Sequence, residues 1–415
     1  MQQSQQKILV IGYVWPEPNS SAAGTRMLQL LQFFRMQKWD VTFACPAAKT
    51  EYCYDLRQMG IASKTIQIND SSFDDFIQQL LPSIVLFDRF MMEEQFGWRV
   101  AELCPNALRI LDTEDLHSLR KARHQALKDG KEFHIDQLKS YQLAQREIAS
   151  ILRCDISLLI SEVERDLLIQ HFKIDTSLLL YIPFMLEELH KNQIEALPTF
   201  EERQHFVTIG NFLHAPNRDM VMYLKKEIWP LLRKKLPKAE MHVYGSYAKE
   251  HSLQLNQPKE KFFVYGRAES AAEVIKKAKI LLAPLRFGAG LKGKFIDGKQ
   301  NGTPCVTTKI GAEGMHGELS WNGVVSDDIE TLINETVELY TNKNRWLSAQ
   351  QNGFEILKNR YAAVNFQRQL LEKITTTQND LEKHRANNFL GSMLQLHHMK
   401  STKYMSLWIE TKNKL

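Results

Sequence analysis

The stretch Lys279–Thr308, KILLAPLRFGAGLKGKFIDGKQNGTPCVTT, decides how the rest of the chain is interpreted. Its apolar start predicts a strand that ends at Pro284, and its middle predicts a short helix over about residues 294–300. A second strand is predicted at Cys305–Thr307. The loop before the helix is rich in glycine and lysine, and backbone N–H groups at a helix N-terminus favour an anion. This strand–loop–helix–strand unit therefore predicts a phosphate or diphosphate site.

The stretch also resembles the donor-site signature of the group 1 (family 4) retaining glycosyltransferases, in which P-L-x-x-G-x-G-x-K-x-K precedes a helix and G-x-P-V-V follows it. The matching residues are Pro284, Leu285, Gly288, Gly290, Lys292, Lys294, Gly302, Pro304 and Val306. The family usually has a glutamate on this helix, where it holds the nucleotide ribose, and here the residue is Asp297. Ala289 replaces a second, upstream glutamate. The resemblance covers about residues 7–374 and is strongest over 205–315.

This resemblance implies both a fold and an activity. The fold is GT-B, an α/β architecture of two facing Rossmann-like domains, each with a doubly wound parallel sheet. The activity is transfer of a sugar from a nucleotide-diphosphate donor, linked to UDP or GDP, to a glycan, lipid-linked or other acceptor. The implied transfer retains the anomeric configuration. The implied biological role is polysaccharide biosynthesis. Stabilising the departing diphosphate is the largest contribution that such a protein can make.

The donor loop supplies the groups that we expect to carry this chemistry. Lys292 and Lys294 are predicted to contact the diphosphate as catalytic cations, and Asp297 is predicted to bind the ribose. Further donor-binding residues are expected in the same loop, namely Arg286, Gly290 and Gly293. The simpler alternative is that the glycines only make turns, the lysines are solvated, and the arginine forms a salt bridge at the domain rim.

A second cluster of polar residues, Asp112–Arg120, follows a predicted strand in the first half of the chain. It resembles the D-x-x-D-x-H-x-x-R motif of the same family, whose histidine touches the donor sugar near the leaving phosphate. The resemblance implies a catalytic role for His117, with Asp115 and Arg120 beside it on the acceptor side. Capping of the following helix is the alternative role for Asp115.

Glycines follow several predicted strands, and the carboxyl ends of strands form the ligand edge of an open α/β sheet. Gly210 and Gly266 are therefore predicted at the nucleotide site. Asn217 lies with His214 in a segment that resembles G-x-x-x-H-x-P-N, and it either contacts the nucleotide or caps its helix. Gly24, at the start of the first helix, either faces the cleft on the acceptor side or allows close packing of helix and sheet.

Alternating strand and helix patterns predict two domains of one architecture. First-domain strands are predicted at Lys7–Val14, Val41–Cys45, Ile66–Ile68, Ile84–Phe87, Leu108–Leu111, Ile156–Ile160 and Leu178–Ile182. In the second half, a helix is predicted over about 217–235, and Pro230 is expected to kink or split it. The predicted divisions are an acceptor-side domain at 1–186, a linker at 187–203, a donor domain at 204–350, helices that cross back at 351–382, and a basic tail at 383–415.

The composition is that of an ordinary globular chain, with 44% hydrophobic and 24% charged residues among 415. No apolar run is long enough for a transmembrane helix, and the amino terminus lacks a signal-peptide pattern. The cysteines have no spacing typical of metal sites or disulfide frameworks, which predicts a reduced, cytoplasmic protein. We expect no metal, no cofactor besides the donor substrate, and no nucleic-acid partner.

The tail accounts for the net charge of +5, since its cations outnumber its one acidic residue, Glu410. These cations are Lys383, Arg385, Lys400, Lys403, Lys412 and Lys414. Near them lie Phe389, Leu390, Met393, Leu394, Leu396, His397, His398, Leu407, Trp408 and Ile409. An apolar face beside cations predicts peripheral contact with the anionic inner face of a membrane. The alternatives are packing on the first domain and self-association with another subunit.

Two further functions remain open from the sequence. One is another GT-B activity on nucleotide sugars, such as an epimerase, which would need more acid–base groups in the cleft than the sequence identifies. The other is a degenerate GT-B subunit that only binds within a polysaccharide assembly complex. Ala289 and Asp297 permit this second alternative, whereas Lys292, Lys294 and His117 argue against it.

Overall fold

The computed structural model describes residues 6–248 and 250–414, and these form two parallel-sheet domains. Strands of the first domain are β1 (Lys7–Ile11), β2 (Asp40–Cys45), β3 (Ala62–Thr65), β4 (Ile84–Asp88), β5 (Leu108–Asp112), β6 (Ile156–Leu159) and β7 (Leu179–Tyr181). Strands of the second domain are β8 (Gln204–Ile209), β9 (Met241–Tyr244), β10 (Phe262–Gly266), β11 (Ala278–Leu282), β12 (Cys305–Thr307) and β13 (Gly323–Val325). The sheet orders are β3-β2-β1-β4-β5-β6-β7 and β10-β9-β8-β11-β12-β13.

Helices cover both faces of each sheet, as the buried parallel strands require. The first domain and linker contain α1 (Ala22–Met36), α2 (Ser72–Leu80), α3 (Phe90–Leu103), α4 (His117–Lys128), α5 (Gln142–Arg153), α6 (Glu162–Phe172) and α7 (Lys191–Glu195). The second contains α8 (Ala215–Tyr223), α9 (Trp229–Lys235), α10 (Glu250–Leu253), α11 (Ala271–Lys277), α12 (Gly293–Gln300), α13 (Lys309–Ala312), α14 (Ile329–Thr341) and α15 (Lys343–Tyr361). The carboxyl-terminal helices are α16 (Ala363–Asn379), α17 (Leu381–Asn387) and α18 (Phe389–Asn413).

In both sheets the strand order reverses direction at a central strand. In the first sheet β1 lies between β2 and β4, and in the second β8 lies between β9 and β11. Ligands of doubly wound sheets bind beyond the carboxyl ends of strands at such switch points. The predicted α/β fold with two doubly wound parallel sheets is confirmed.

The structure corrects one strand position and explains the kinked helix. The predicted strand at Ile66–Ile68 is wrong, because the edge strand is β3, whose residues are polar and exposed and give no apolar pattern. The helix around Pro230 continues from α8 to α9 through a wider turn at Leu224–Ile228. Such a turn accommodates the missing N–H of proline without ending the helix.

The chain passes between the domains at two adjacent points. The N–H of Leu186 donates to the carbonyl of Tyr361 over 2.8 Å, and the N–H of Ala363 donates to Leu186 over 2.9 Å. Before this crossing, α15 packs on the second domain, where the indole N–H of Trp346 donates to the backbone carbonyl of Lys279. After it, α16 packs on the first domain through residues such as Ile374. Residue 351, the predicted start of the returning segment, lies inside α15.

The tail is helical and packs on the outside of the first domain. Helix α18 lies against α3 and α5, and α17 precedes it with Arg385 bonded to Asp155. In the described part of the chain, no helix is both long and apolar enough to cross a membrane.

Candidate active site between the two sheets

The candidate site lies where the carboxyl ends of the two sheets face each other. From the first domain come the β5–α4 loop and the start of α4, and from the second come the β11–α12 loop and the start of α12. A Cβ atom at Gly290 would lie 2.7 Å from the Cβ of Asp115, and one at Gly293 would lie 2.4 Å from the Cβ of Ala22. The backbone of Gly290 also has φ +61. Glycine is therefore needed at 290 for both its conformation and its proximity to the other domain.

His117 is the first residue of α4 and lies beside Asp115, with 3.5 Å between Nε2 and a carboxylate oxygen. Its ring meets that of Phe90 edge to face. Burial lowers the pKa of His117 to about 4, although Asp115 opposes this change. Burial alone would raise the pKa of Asp115, but Arg120, His117 and His214 hold it well below its usual range. The imidazole is therefore neutral at pH 7, and the carboxylate beside it is ionised.

Two buried carboxyl groups from other helices position the start of α4. Glu147 of α5 accepts the N–H groups of His117 and Ser118 over 2.7 and 2.8 Å. Burial raises the pKa of Glu147 to about 7. A carboxylate at this place satisfies N–H groups that have no partner within the helix. Glu147 thus fixes the backbone of the histidine without touching its ring.

Glu164 of α6 connects the two halves of the site. One of its oxygens accepts the N–H of Leu116, next to His117, over 3.1 Å and the N–H of Gly290 over 2.8 Å. The other oxygen is buried and has no partner among the described residues. Burial, reinforced by Asp115, raises the pKa of Glu164 to about 8. A neutral carboxylic acid therefore bridges the histidine segment and the glycine loop at pH 7.

Helix α4 continues along the glycine loop of the second domain. Arg123 donates to both carboxylate oxygens of Glu313 over 2.8 Å and to the carbonyl of Gly288 over 2.9 Å. His124 stacks on Phe287 with 4.1 Å between ring centroids. A bidentate arginine–carboxylate pair fixes orientation as well as distance. These contacts hold the loop against the first domain along the length of the helix.

Of the two lysines of the loop, Lys292 is buried and Lys294 is half-buried, and they have different partners. Lys292 is 8% exposed, and its ammonium donates to the carbonyl of Gly290 over 2.9 Å. Lys294 donates to the side-chain oxygen of Asn217 over 2.7 Å. Burial lowers the pKa of Lys292 to about 8 and that of Lys294 to about 7. Neither lysine is solvated at the surface, so that alternative does not describe the structure.

Asp297 lies one turn after Lys294 on α12. None of the described residues donates a hydrogen bond to its carboxylate, and burial raises its pKa to about 7, with Lys294 opposing. Arg286 instead pairs with Asp219 and lies over the ring of Tyr223. The arginine thus has the rim salt bridge that the sequence left open as its alternative role, so we do not include it in the proposed donor site.

Asn217 and Gly210 pack against each other beside the donor loop. A Cβ atom at Gly210 would lie 2.7 Å from the Asn217 side chain, whose NH₂ donates to the carbonyl of Asn211. The asparagine therefore connects the β8–α8 loop to Lys294. His214 is the N-cap residue of α8, and burial lowers its pKa to about 4. Gly266 ends β10 with φ +74 and has no atom near its Cβ position.

Two residues of the first-domain motifs have packing roles. A Cβ atom at Gly24 would lie 2.5 Å from the backbone of Glu17, so the glycine allows the preceding loop to fold over α1. Asp112 pairs with Arg26 over 2.9 Å, and both side chains are buried. Arg26 also donates to the carbonyls of Ile182 and Pro183, where the chain leaves the domain.

A histidine cluster lies at the opposite end of the second sheet. His205, Glu240 and His242 place one ligand atom each within 4.8 Å of one another. They lie at the amino ends of β8 and β9, away from the cleft. Because of this distance, the cluster takes no part in the chemistry of the cleft.

Comparison with solved structures assigns the fold. The chain resembles HepE of Anabaena, solved with UDP and glucose, at 12% identity and a TM-score of 0.64 over 90% of this chain and 100% of that one. It also resembles sucrose-phosphate synthase of Thermosynechococcus elongatus, at 12% identity and a TM-score of 0.65 over 90% and 99%. A glycosyltransferase of Rickettsia africae is similar at 11% identity and a TM-score of 0.61, over 89% of this chain and 97% of that one. At these identities the likeness establishes the fold, which is GT-B.

The sequence of the second domain matches a known family model. Residues 203–342 match the family model for Glycosyl transferases group 1. No curated protein matches the chain. The second domain thus matches the family that the signature around the donor loop predicted, and the whole chain has the GT-B fold.

Sequence reasoning missed Glu164, Glu147 and the pair of Arg123 with Glu313. No local motif marks these residues, because the contact of Glu164 with Gly290 spans 126 positions and that of Arg123 with Glu313 spans 190. The sequence also identified too few acid–base groups in the cleft, since Glu164 is buried there.

The protonation of Glu164 gives a test of the cleft geometry. A glutamate ionises near its ordinary value of 4.5 when unfolded, but near 8 in the folded protein. The folded protein therefore loses stability relative to a Glu164→Gln variant as pH rises between these values. We expect the melting temperature of the wild type, minus that of the variant, to fall from about pH 5 to about pH 8.

Glu313→Gln provides the matched control, because Arg123 overcomes the effect of burial and keeps the pKa of Glu313 low. Its difference from the wild type should stay constant over the same pH range. If the wild type instead gained stability over the Glu164→Gln variant as pH rose, the carboxyl group would be held as a carboxylate by the two N–H groups, and our assignment would be wrong.

Proposed function

We propose that this protein transfers a sugar from a nucleotide-diphosphate donor to a glycan or lipid-linked acceptor with retention of anomeric configuration. The observation that carries the proposal is the approach of the glycine–lysine loop of the second domain to the His117 segment of the first. Positive groups for a leaving diphosphate and a neutral imidazole thus meet at one cleft. The family match supports sugar transfer, and the donor, acceptor and stereochemistry are part of the proposal.

The donor diphosphate is proposed to bind between the loop and the start of α12. Lys292 and Lys294 are held close to the helix N-terminus, where N–H groups favour an anion. Burial disfavours their charged forms, and a diphosphate would restore them by adding two nearby negative charges. These cations stabilise the leaving group as the bond to the anomeric carbon breaks, which is electrostatic catalysis in a site that excludes water.

Asp297 is proposed to accept a hydrogen bond from the ribose. Its carboxylate faces no donor of the described chain, and it lies on the same helix as Lys294. Aspartate is one methylene shorter than the glutamate usual in this family, so the nucleoside would sit closer to α12. Gly210 and Gly266 lie at the carboxyl ends of β8 and β10, and Asn217 lies in the first turn of α8, where the base and ribose are proposed to bind.

His117 is proposed to contact the sugar beside the leaving phosphate. Asp115 and Arg120 hold each other at its side, and Glu147 holds its backbone. A neutral imidazole can donate a hydrogen bond from one nitrogen and accept at the other, which suits sugar hydroxyl groups. The acceptor is proposed to enter from the first domain, next to Asp115 and Arg120.

The double variant Lys292→Ala/Lys294→Ala tests donor binding. Each lost charge-assisted contact should cost on the order of 1.5–3 kcal/mol of binding free energy, measured by calorimetry with UDP and GDP. Because the pKa of Lys294 is about 7, wild-type binding at about pH 8 should take up protons, and the variant should take up fewer. Since lysines supply the positive charge, EDTA should leave the wild-type affinity unchanged.

Lys309→Ala is the control, because this lysine lies on the next helix of the same domain and its side chain is 80% exposed. It should bind both nucleotides like the wild type. Equal affinity in the double variant and the control would remove the loop from the donor site.

The variant His117→Ala separates turnover from binding. A group that acts mainly in the transition state should lower kcat when removed while nucleotide affinity stays nearly intact. Donor hydrolysis gives the assay, and a thermal-shift screen of nucleotide sugars chooses the donor, since a ligand at about 100 Kd stabilises by about 2.7 kcal/mol. His190→Ala, at an exposed linker position, should behave as the wild type. Full activity of His117→Ala would exclude His117 from the reaction.

Stereochemistry is decided by the product. With an α-linked nucleotide sugar as donor, we expect the NMR coupling constant of the anomeric proton to report an α-linked product. A β-linked product would mean inversion and would overturn the proposed retention while leaving the transferase assignment intact. If the protein binds nucleotide sugars but neither hydrolyses nor transfers them with any acceptor offered, the alternative of a binding subunit would hold instead.

A further inference from the structure

The carboxyl-terminal helix α18 packs on the first domain with the polar side of its surface. Its buried contacts come from small and polar residues, such as Gly391, Ser406 and Glu410. The hydroxyl of Ser406 donates to the side chain of Asn69 over 3.0 Å. A carboxylate oxygen of Glu410 lies 3.8 Å from Arg99. The helix is thus fixed on the domain by polar contacts along its length.

The large apolar side chains of α18 point the other way. We call them the apolar stripe, and they are Phe389, Leu390, Met393, Leu396, Tyr404, Met405, Leu407 and Trp408. Their exposed fractions range from 39% at Leu407 to 69% at Phe389. The side chains of His397 and His398, which the sequence grouped with this face, lie outside the described residues. A helix normally buries its apolar face against the protein, so this orientation leaves these large apolar side chains in solvent.

We propose that the apolar stripe binds an anionic lipid surface, with α18 lying parallel to it. Lys400 is exposed in the middle of the stripe, and Lys412 is exposed near its end, with its ammonium 5.4 Å from the ring of Trp408. Tyr404 and Trp408 combine apolar rings with polar tips, which suits the boundary between headgroups and acyl chains. Apolar residues with flanking cations are the usual composition of an interfacial helix.

Lys400 distinguishes a lipid surface from a second copy of the chain. A two-fold pair of antiparallel α18 helices, centred on the stripe, would place Lys400 within about one helical turn of the same residue of the other copy. Two ammonium groups in an apolar contact repel each other and lose their hydration. On a lipid surface, the lysine stem instead lies along the apolar boundary, and the ammonium reaches the phosphates.

Two other cations of the tail hold it on the first domain. Lys403 pairs with Glu102 over 2.8 Å, and Arg385 pairs with Asp155 over the same distance. Packing on the first domain and the proposed lipid contact therefore involve different faces of one helix. Removing the tail would expose buried Arg99 and Arg153, which contact it, so point substitutions on the stripe test the proposal more cleanly than truncation.

The test compares Leu396→Glu/Trp408→Glu with a matched control, Met36→Glu/Val364→Glu, in the full chain. The control residues are 55% and 71% exposed and lie on other helices. Co-sedimentation is measured with vesicles of equal parts phosphatidylglycerol and phosphatidylcholine, and with phosphatidylcholine alone. We expect the wild type and the control to bind the anionic vesicles, and the stripe variant to bind at least about tenfold more weakly.

A charge-only variant and a folding check complete the design. Lys400→Gln should weaken binding to the anionic vesicles but not to phosphatidylcholine, and added salt should reduce the difference. All variants should keep the melting temperature and donor hydrolysis of the wild type, since none touches the cleft. The proposal fails if the wild type remains in the supernatant with both vesicle types. It also fails if sedimentation velocity shows a dimer that the stripe variant dissociates, because the stripe would then be a subunit interface.

Discussion

The close approach of two sheet edges is the constraint on which the rest of this protein depends. Asp115 on one side and Gly290 on the other leave no room for a side chain at position 290. A single oxygen of Glu164 accepts the N–H groups of both Leu116 and Gly290. Since its pKa is raised to about 8, this contact brings no second negative charge next to Asp115 at pH 7. A charged bridge at this place would repel the carboxylate of Asp115, which lies beside His117.

The titratable groups of the cleft are held in different protonation states by burial and by ion pairs. It favours neutral forms of Lys294, Asp297 and His117, whereas Arg120 keeps Asp115 ionised. In the structure, Lys294 is stabilised by an amide oxygen of Asn217 rather than by a carboxylate. An amide holds an ammonium group without neutralising it, so its attraction for a diphosphate is preserved. Asn217 thus positions the ammonium group of Lys294, a role that differs from both capping its helix and contacting the nucleotide directly.

Much of the donor side could be predicted from the sequence because it is local. Lys292, Lys294 and Asp297 lie within one loop and helix, and their spacing fixes their relative positions once the helix forms. The partners from the first domain could not be found in this way, because Glu164 is brought to Gly290 only by tertiary packing. The edge strand β3 was missed because its residues are polar. The tail had the right composition, but its orientation depended on polar contacts with Arg99 and Asn69.

The two adjacent chain crossings restrict how the cleft can open. Leu186 bonds to residues on both sides of Ala362, so the outgoing and returning segments are joined at one place. Sliding one domain along the other would break these bonds, whereas rotation about a line through them would not. The junction therefore favours hinge-like rotation of the domains over sliding. A rotation about this place would bring the β5–α4 loop back to the same glycine.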